Sequence, residues 1–135
     1  LFFFASKEMK KKKILIIEDD TFLLKLYSDK LKREGFDVLK SLTGEEGLNK
    51  VLSEKPDLVI LDIILSRRSG FEILSEMKLN PKMKKIPVII LTNLGQKSDI
   101  KRGLDLGAVA YLVKTDFSVN QLPKLIKEHL AKKKK

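Results

Sequence analysis

The chain contains no cysteine, which excludes disulfides, thiolate metal sites and cysteine nucleophiles. It has a single histidine, His129, so a histidine-cluster metal centre is excluded as well. That residue falls near the end of the last helical pattern, where a solvated imidazole or a partner for the helix dipole is expected. Tryptophan is absent, and the basic runs carry no interleaved aromatics. Specific nucleic-acid binding is therefore not expected. No apolar run approaches the ~20 residues of a membrane-spanning helix, so no membrane span is expected. The opening "LFFFA" is also too short for a complete secretory signal. Neither a glycine-rich phosphate loop nor a dinucleotide fingerprint is present.

What is there fits one folded domain. The chain has 135 residues, 43% of them hydrophobic and 34% charged. The net charge is +10, and the lysines of Lys10–Lys13 and Lys132–Lys135 carry eight of those charges, which leaves +2 for the rest. The body is nearly neutral and the tails are basic. Residues 1–11 read as an N-terminal tail or linker, 12–131 as the domain and 132–135 as a basic C-terminal tail. The first residue is leucine, and Met9 stands just before the first strand. Residues 1–8 therefore read as a linker, a cloning remnant or the stub of a longer chain. Lysine tails of this kind attract anionic polymers or lipids weakly, or are simply solvated ends. The lack of cysteine fits a cytoplasmic setting.

Short apolar runs alternate with helical patterns. Ile14–Ile17, Phe36–Leu39, Leu58–Leu61, Val88–Leu91 and Ala110–Val113 are strand candidates. Between and after them, helical spacing covers Thr21–Gly35, a segment opened by the capping-box pattern Thr43–Glu46 and running to about Ser53, Phe71–Leu79, Ser98–Leu106, and a last helix capped by Ser118 and running to about Ala131. Five β–α units with continuous apolar strands predict an α/β fold, a doubly wound parallel sheet of the flavodoxin-like (βα)5 type.

Ligands in such sheets gather at the carboxyl ends of the strands. Strand one ends in Glu18-Asp19-Asp20, strand three in Asp62, strand four in Thr92-Asn93 and strand five in Lys114, whereas strand two offers nothing comparable. The strand order 2-1-3-4-5 accounts for that exception by putting strand two at an edge. Carboxylates from separate strands, with no histidine or cysteine nearby, make a hard oxygen pocket suited to Mg²⁺ or Mn²⁺. Such a cation would explain how a buried strand can end in three acids. An aspartate beside it can accept a phosphoryl group, with a lysine and a hydroxyl steadying the transferring oxygens.

The segments "ILIIEDD", "DLVILDIIL", "GFEIL", "IPVIILT" and "GAVAYLVK", in this order, resemble the receiver domain of two-component response regulators. The likeness covers roughly Lys12 to Ala131. It implies that Asp62 is the phosphoacceptor, and that Glu18, Asp19, Asp62 and the backbone carbonyl of Ile64 hold Mg²⁺, with Mn²⁺ as the substitute. It also implies that Thr92 and Lys114 bind the phosphoryl group, and that Thr92 and Tyr111 form the switch. Asp20 is left without a metal role. The implied function is a signalling phosphoacceptor rather than an enzyme with a separate substrate, one that assists its own phosphorylation and dephosphorylation. Its implied partners are a sensor histidine kinase or a histidine phosphotransfer protein. Phosphorylation would switch the surface of helix four, strand five and helix five toward an unspecified target protein or toward homodimerisation.

Several positions depart from the family pattern. Ser66 and Ser69 stand where proline and aspartate are usual, and Arg67 and Arg68 make that loop more basic, with less rigidity expected. Thr115 replaces the proline after Lys114, so a cis bond or a rebuilt loop is expected there. Asn93 takes a place where a small residue is common, which alters access to the phosphoryl group. Ile64 and Leu94 offer no polar side chain to place a hydrolytic water, so slow self-dephosphorylation is expected. Two other readings stay open: a phosphorylation-independent interaction module on the same fold, and an Mg²⁺-dependent phosphohydrolase. The second lacks an acid at Ile64, where its general acid would stand.

Overall fold

The computed structural model describes residues 10–133, so most of the N-terminal tail and the last two lysines lie outside the described residues. Five parallel strands form one sheet: β1 (Lys13–Ile17), β2 (Asp37–Ser41), β3 (Leu58–Leu61), β4 (Val88–Thr92) and β5 (Ala110–Val113). Their order is β2-β1-β3-β4-β5, the flavodoxin-like arrangement expected from the strand ends. Five helices connect and close them: α1 (Thr21–Arg33), α2 (Gly44–Glu54), α3 (Gly70–Leu79), α4 (Lys97–Asp105) and α5 (Leu122–Lys133).

The alternation of apolar side chains builds two cores from one sheet. Leu15, Ile17, Val59, Leu61, Val88 and Ile90 pack with Leu48, Val51, Phe71, Leu74 and Met77 of α2 and α3. Ile14, Ile16, Leu58, Ile60, Ile89 and Leu91 face the other way, against Leu24, Tyr27 and Leu31 of α1 and Leu122, Ile126 and Leu130 of α5. Covering both faces is what makes the three central strands continuous apolar runs in the sequence.

Local signals set the helix starts, with two corrections. Thr43 does cap α2, accepting from the Glu46 amide at 3.1 Å. Glu46, however, reaches the amide of Leu42 rather than that of Thr43, so the box is completed one residue further out. Ser118 does not cap α5 directly. It heads a 3-10 turn over Val119–Gln121, with a complete capping box, and α5 follows from Leu122. His129 is half-buried on α5, and burial followed by Lys132 holds its imidazole below the usual range. That opposes a role as a charged partner of the helix dipole.

Candidate functional site

β1 delivers its acids at the carboxyl edge because the apolar run ends one residue earlier, at Ile17. Glu18 turns inward and is 2% exposed, while Asp19 lies at the surface. Asp20 serves the helix instead of the site: it is the N-cap of α1 and accepts from the Leu23 amide at 3.0 Å. β3 delivers Asp62, which is 4% exposed. One carboxylate oxygen from each of Glu18, Asp19 and Asp62 fits within 4.8 Å of the other two.

Crowded, buried carboxylates need positive neighbours. Lys114, just past β5, donates to Glu18 Oε1 at 2.7 Å and to Asp62 Oδ2 at 2.7 Å. Backbone amides take the other oxygens, Ile64 N to Asp62 Oδ1 at 3.0 Å and Asp20 N to Glu18 Oε2 at 3.1 Å. Burial works to lower the Lys114 pKa, but the hydrogen bonds to Asp62 and Glu18 outweigh it, and the ammonium is held above its ordinary range. Burial, aided by the Asp62 charge, pushes the Glu18 carboxyl up despite Lys114. Part of the neutralisation assigned above to a metal is thus done by lysine and amides. Three carboxylates against one ammonium still leave two formal negative charges. The donor set therefore fits a divalent, oxygen-seeking cation.

β4 ends in Thr92, which is fully buried and whose Oγ1 accepts from the Leu94 amide at 3.4 Å. The hydroxyl of Tyr111 donates to the carbonyl of the same Leu94 at 2.5 Å. One residue therefore links both expected switch residues. Burial, then the Asp99 and Asp62 charges, raise the Tyr111 phenol to about 12.

Of the two alternatives expected after Lys114, the structure takes the one without a cis bond. The Lys114–Thr115 peptide is trans, since the described residues contain no cis bond, and Lys114–Asp116 form a 3-10 turn. In the loop after Asp62, Arg67 is exposed, whereas Arg68 is tied to neighbouring acids. Arg68 pairs with Glu45 of α2 at 2.6 Å and with Glu76 and Glu72 of α3 at 3.0 and 3.4 Å. Ser69 keeps a capping role, accepting from the Phe71 amide at 3.1 Å. Ser66 reaches back toward Asp19 at 3.4 Å.

The packing role of two glycines of the site was not read from the sequence, although Gly70 opens the segment "GFEIL". A Cβ at Gly70 would lie 2.2 Å from the Asp62 carbonyl oxygen, so helix α3 can start against the end of β3 only without a side chain there. A Cβ at Gly103 would lie 2.8 Å from the Tyr111 ring, so α4 leaves room for that ring.

The family model described as "Response regulator receiver domain" matches residues 14–127. The alkaline phosphatase synthesis transcriptional regulatory protein PhoP of Bacillus subtilis is 37% identical over 76% of this chain and 42% of its own length. The phosphate regulon transcriptional regulatory protein PhoB of Rhizobium meliloti is 37% identical over 90% of this chain and 53% of its own length. The chain thus spans about half the length of the curated relatives it matches. Among solved structures, a CheY-like response regulator receiver domain protein from Methanospirillum hungatei superposes with a TM-score of 0.84 at 32% identity, over 93% of this chain and 98% of the other. The phosphorylated cyanobacterial phytochrome response regulator RcpA gives 0.74 at 29% identity, over 88% and 91%.

Proposed function

The chain belongs to the response regulator receiver domain family, and on that premise we propose that residues 12–131 form a phosphoacceptor domain of a two-component relay. In this reading Asp62 takes a phosphoryl group from a phosphohistidine: a carboxylate O–P bond forms and the donor's N–P bond breaks. The observation that carries it is the placement of Lys114 between Glu18 and Asp62 at 2.7 Å from each, despite the missing proline after it. A lysine so placed can follow charge from the carboxylate to the incoming phosphoryl oxygens.

Glu18, Asp19, Asp62 and the Ile64 carbonyl would hold Mg²⁺, or Mn²⁺ in its place, which would supply charge neutralisation for the transfer. The buried Thr92 hydroxyl would bind the product by giving up its contact with the Leu94 amide. Because Tyr111 hangs from the carbonyl of that same residue, a shift at Thr92 would reach Tyr111 and the surface of α4, β5 and α5. Phosphorylation acts here as a population shift, favouring whichever state binds the added charge better. Phe22, 73% exposed in the first turn of α1, and Ile64, 55% exposed two residues after Asp62, give an apolar rim for a sensor kinase or histidine phosphotransfer protein. The apolar Ile64 and Leu94 also support slow self-dephosphorylation, with a phosphoryl lifetime well beyond seconds. Among the described residues no helix is long and apolar enough to cross a membrane.

The test is intact mass after incubation with acetyl phosphate and Mg²⁺, wild type against Asp62→Ala. A gain of about 80 Da, the covalent mark of one phosphoryl group, that needs Mg²⁺ and is lost in the variant is expected. No gain from acetyl phosphate or from candidate kinases would favour the phosphorylation-independent interaction module.

A further inference from the structure

The sheet edge opposite the acids has its own chemistry. Lysines gather there in the segments before β1 and between α3 and β4 and around the ends of α2, α3 and α5, and they outnumber the acids Glu34, Asp37, Glu54, Asp57 and Asp105 of the same edge. Three surface hollows ring this edge: one lined by Lys10–Lys12 and Lys127 with Glu34 beside Leu130, one by Lys10–Lys13 and Lys55 with Asp57, and one by Lys78, Lys85 and Lys132 around Pro87 and Val109. The α3–β4 connection adds exposed Lys82 and Lys84. Among the described residues only Lys13 of this group has an ion-pair partner, Glu54 at 3.7 Å. Helix dipoles explain a lysine such as Lys78 in a last turn. They do not explain Lys10–Lys12, Lys82, Lys84 and Lys85, which stand in connections.

The shape of this edge also matters. Five strand starts lie in a row at ~4.8 Å spacing, which makes a front of about 20 Å. Apolar side chains sit among the lysines: Leu79, 82% exposed at the end of α3, and Val109, 40% exposed just before β5. No exposed aromatic accompanies them among the described residues, so base stacking has no platform there. Lysines flanking a protruding leucine match a surface that is both anionic and apolar at shallow depth.

We propose that this lysine-rich edge docks on an anionic phospholipid surface, with Leu79 entering the interface and the acidic edge held away from it. The proposal does not rest on the phosphoacceptor reading. It leaves the Asp62 side open to a protein partner while the opposite side is engaged.

The test is co-sedimentation of the full chain with vesicles of phosphatidylcholine alone or with about a third phosphatidylglycerol. Binding to the anionic vesicles only, lost on raising the salt, is expected. The variant Lys82→Glu/Lys84→Glu/Lys85→Glu should weaken it by at least ~100-fold, since each lysine near such a surface is worth about fivefold. Leu79→Ser should weaken it by roughly fourfold to fifteenfold, the value of one to two buried methylenes at the interface. Thermal melting would verify that both variants remain folded, and all three lysines and Leu79 are exposed. Failure to sediment, or binding indifferent to the triple reversal, would overturn the proposal. So would equal binding to a DNA duplex with no effect of Leu79→Ser, which would mark a phosphate-backbone surface instead.

Discussion

The two sides of the candidate site are built differently. On the acceptor side, the loop from Asp62 to Ser69 is held by main-chain bonds and a charge clamp. Leu65 and Gly70 amides both donate to the Ile63 carbonyl, and Arg68 ties the loop to α2 and α3. Arg67 even sits at φ 70, a left-handed conformation that costs a non-glycine residue about 1–2 kcal/mol. On the switch side, Thr92 meets Leu94 at a long 3.4 Å, the N-cap of α4, Gln96, makes no side-chain cap bond, and Lys114 opens a 3-10 turn whose next two residues are exposed. The contacts there are made by side-chain ends. The contrast suits a rigid acceptor read by a deformable neighbour, because a signal needs one element that stays and one that moves.

The two glycines offer the sharpest way to break this contrast. Gly70 faces backbone: a Cβ there would meet the Asp62 oxygen at 2.2 Å and Ile63 Cα at 2.7 Å, so Gly70→Ala must displace the acceptor strand or the start of α3. A loss of about 2–3 kcal/mol in urea unfolding is expected, toward the upper end for overpacking, together with slower labelling of Asp62 by acetyl phosphate. Gly103 faces side chains instead, and a Cβ there would meet the Ile90 side-chain end at 2.6 Å and the Tyr111 ring at 2.8 Å. Gly103→Ala should therefore change stability by no more than about 1 kcal/mol, because the helix gains up to ~1 kcal/mol from alanine while the ring is displaced. The Tyr111 signals should move in NMR spectra. If Gly103→Ala were the more damaging of the two, the distinction between a rigid and a deformable side would fail.

The clamp comes next in size. Arg68→Ala should leave the melting temperature within a few degrees, as expected for exposed ion pairs. It should speed hydrogen exchange at the Leu65, Arg68 and Gly70 amides and leave the Lys114–Phe117 amides unchanged. Uniform exchange in both loops, with no change in the variant, would show that Arg68 restrains nothing.

These residues also mark where sequence reading stops. The strands were legible because both faces of the sheet are covered, which writes "ILII", "LVIL" and "VIIL" as unbroken apolar runs. The acids, Thr92 and Lys114 were legible because parallel strands deliver their last residues to one edge. Arg68 was read only as making its loop more basic, and its ion pairs were not foreseen. Two of its partners, Glu72 and Glu76, follow at helical spacing and could have been noticed, but Glu45 comes from α2 and depends on how α2 meets α3. The packing roles of Gly70 and Gly103 were missed for a stronger reason. What a Cβ would strike is decided by tertiary approach, and no local pattern encodes it. Thr115 left a cis bond and a rebuilt loop as alternatives after Lys114, and the two short ionic contacts place the lysine on a trans bond without help from a proline.

The smallest effect concerns the Tyr111 phenol, and it reads the switch side without any partner. Burial, with Asp99 and Asp62 nearby, holds it at about 12. Tyr27, the other tyrosine, is also raised by burial, so the titration belongs in Tyr27→Phe. In that variant the phenolate absorbance should rise near 12 in the native protein and near the ordinary value of ~10 in urea. The sign follows: a phenol harder to ionise when folded leaves stability intact below pH ~10 and removes it as pH climbs through about 12. Adding Gly103→Ala should bring the native midpoint down toward ~10 if the displaced ring leaves its seat beneath Leu94. A midpoint unmoved by that substitution would place Tyr111 with the rigid acceptor side.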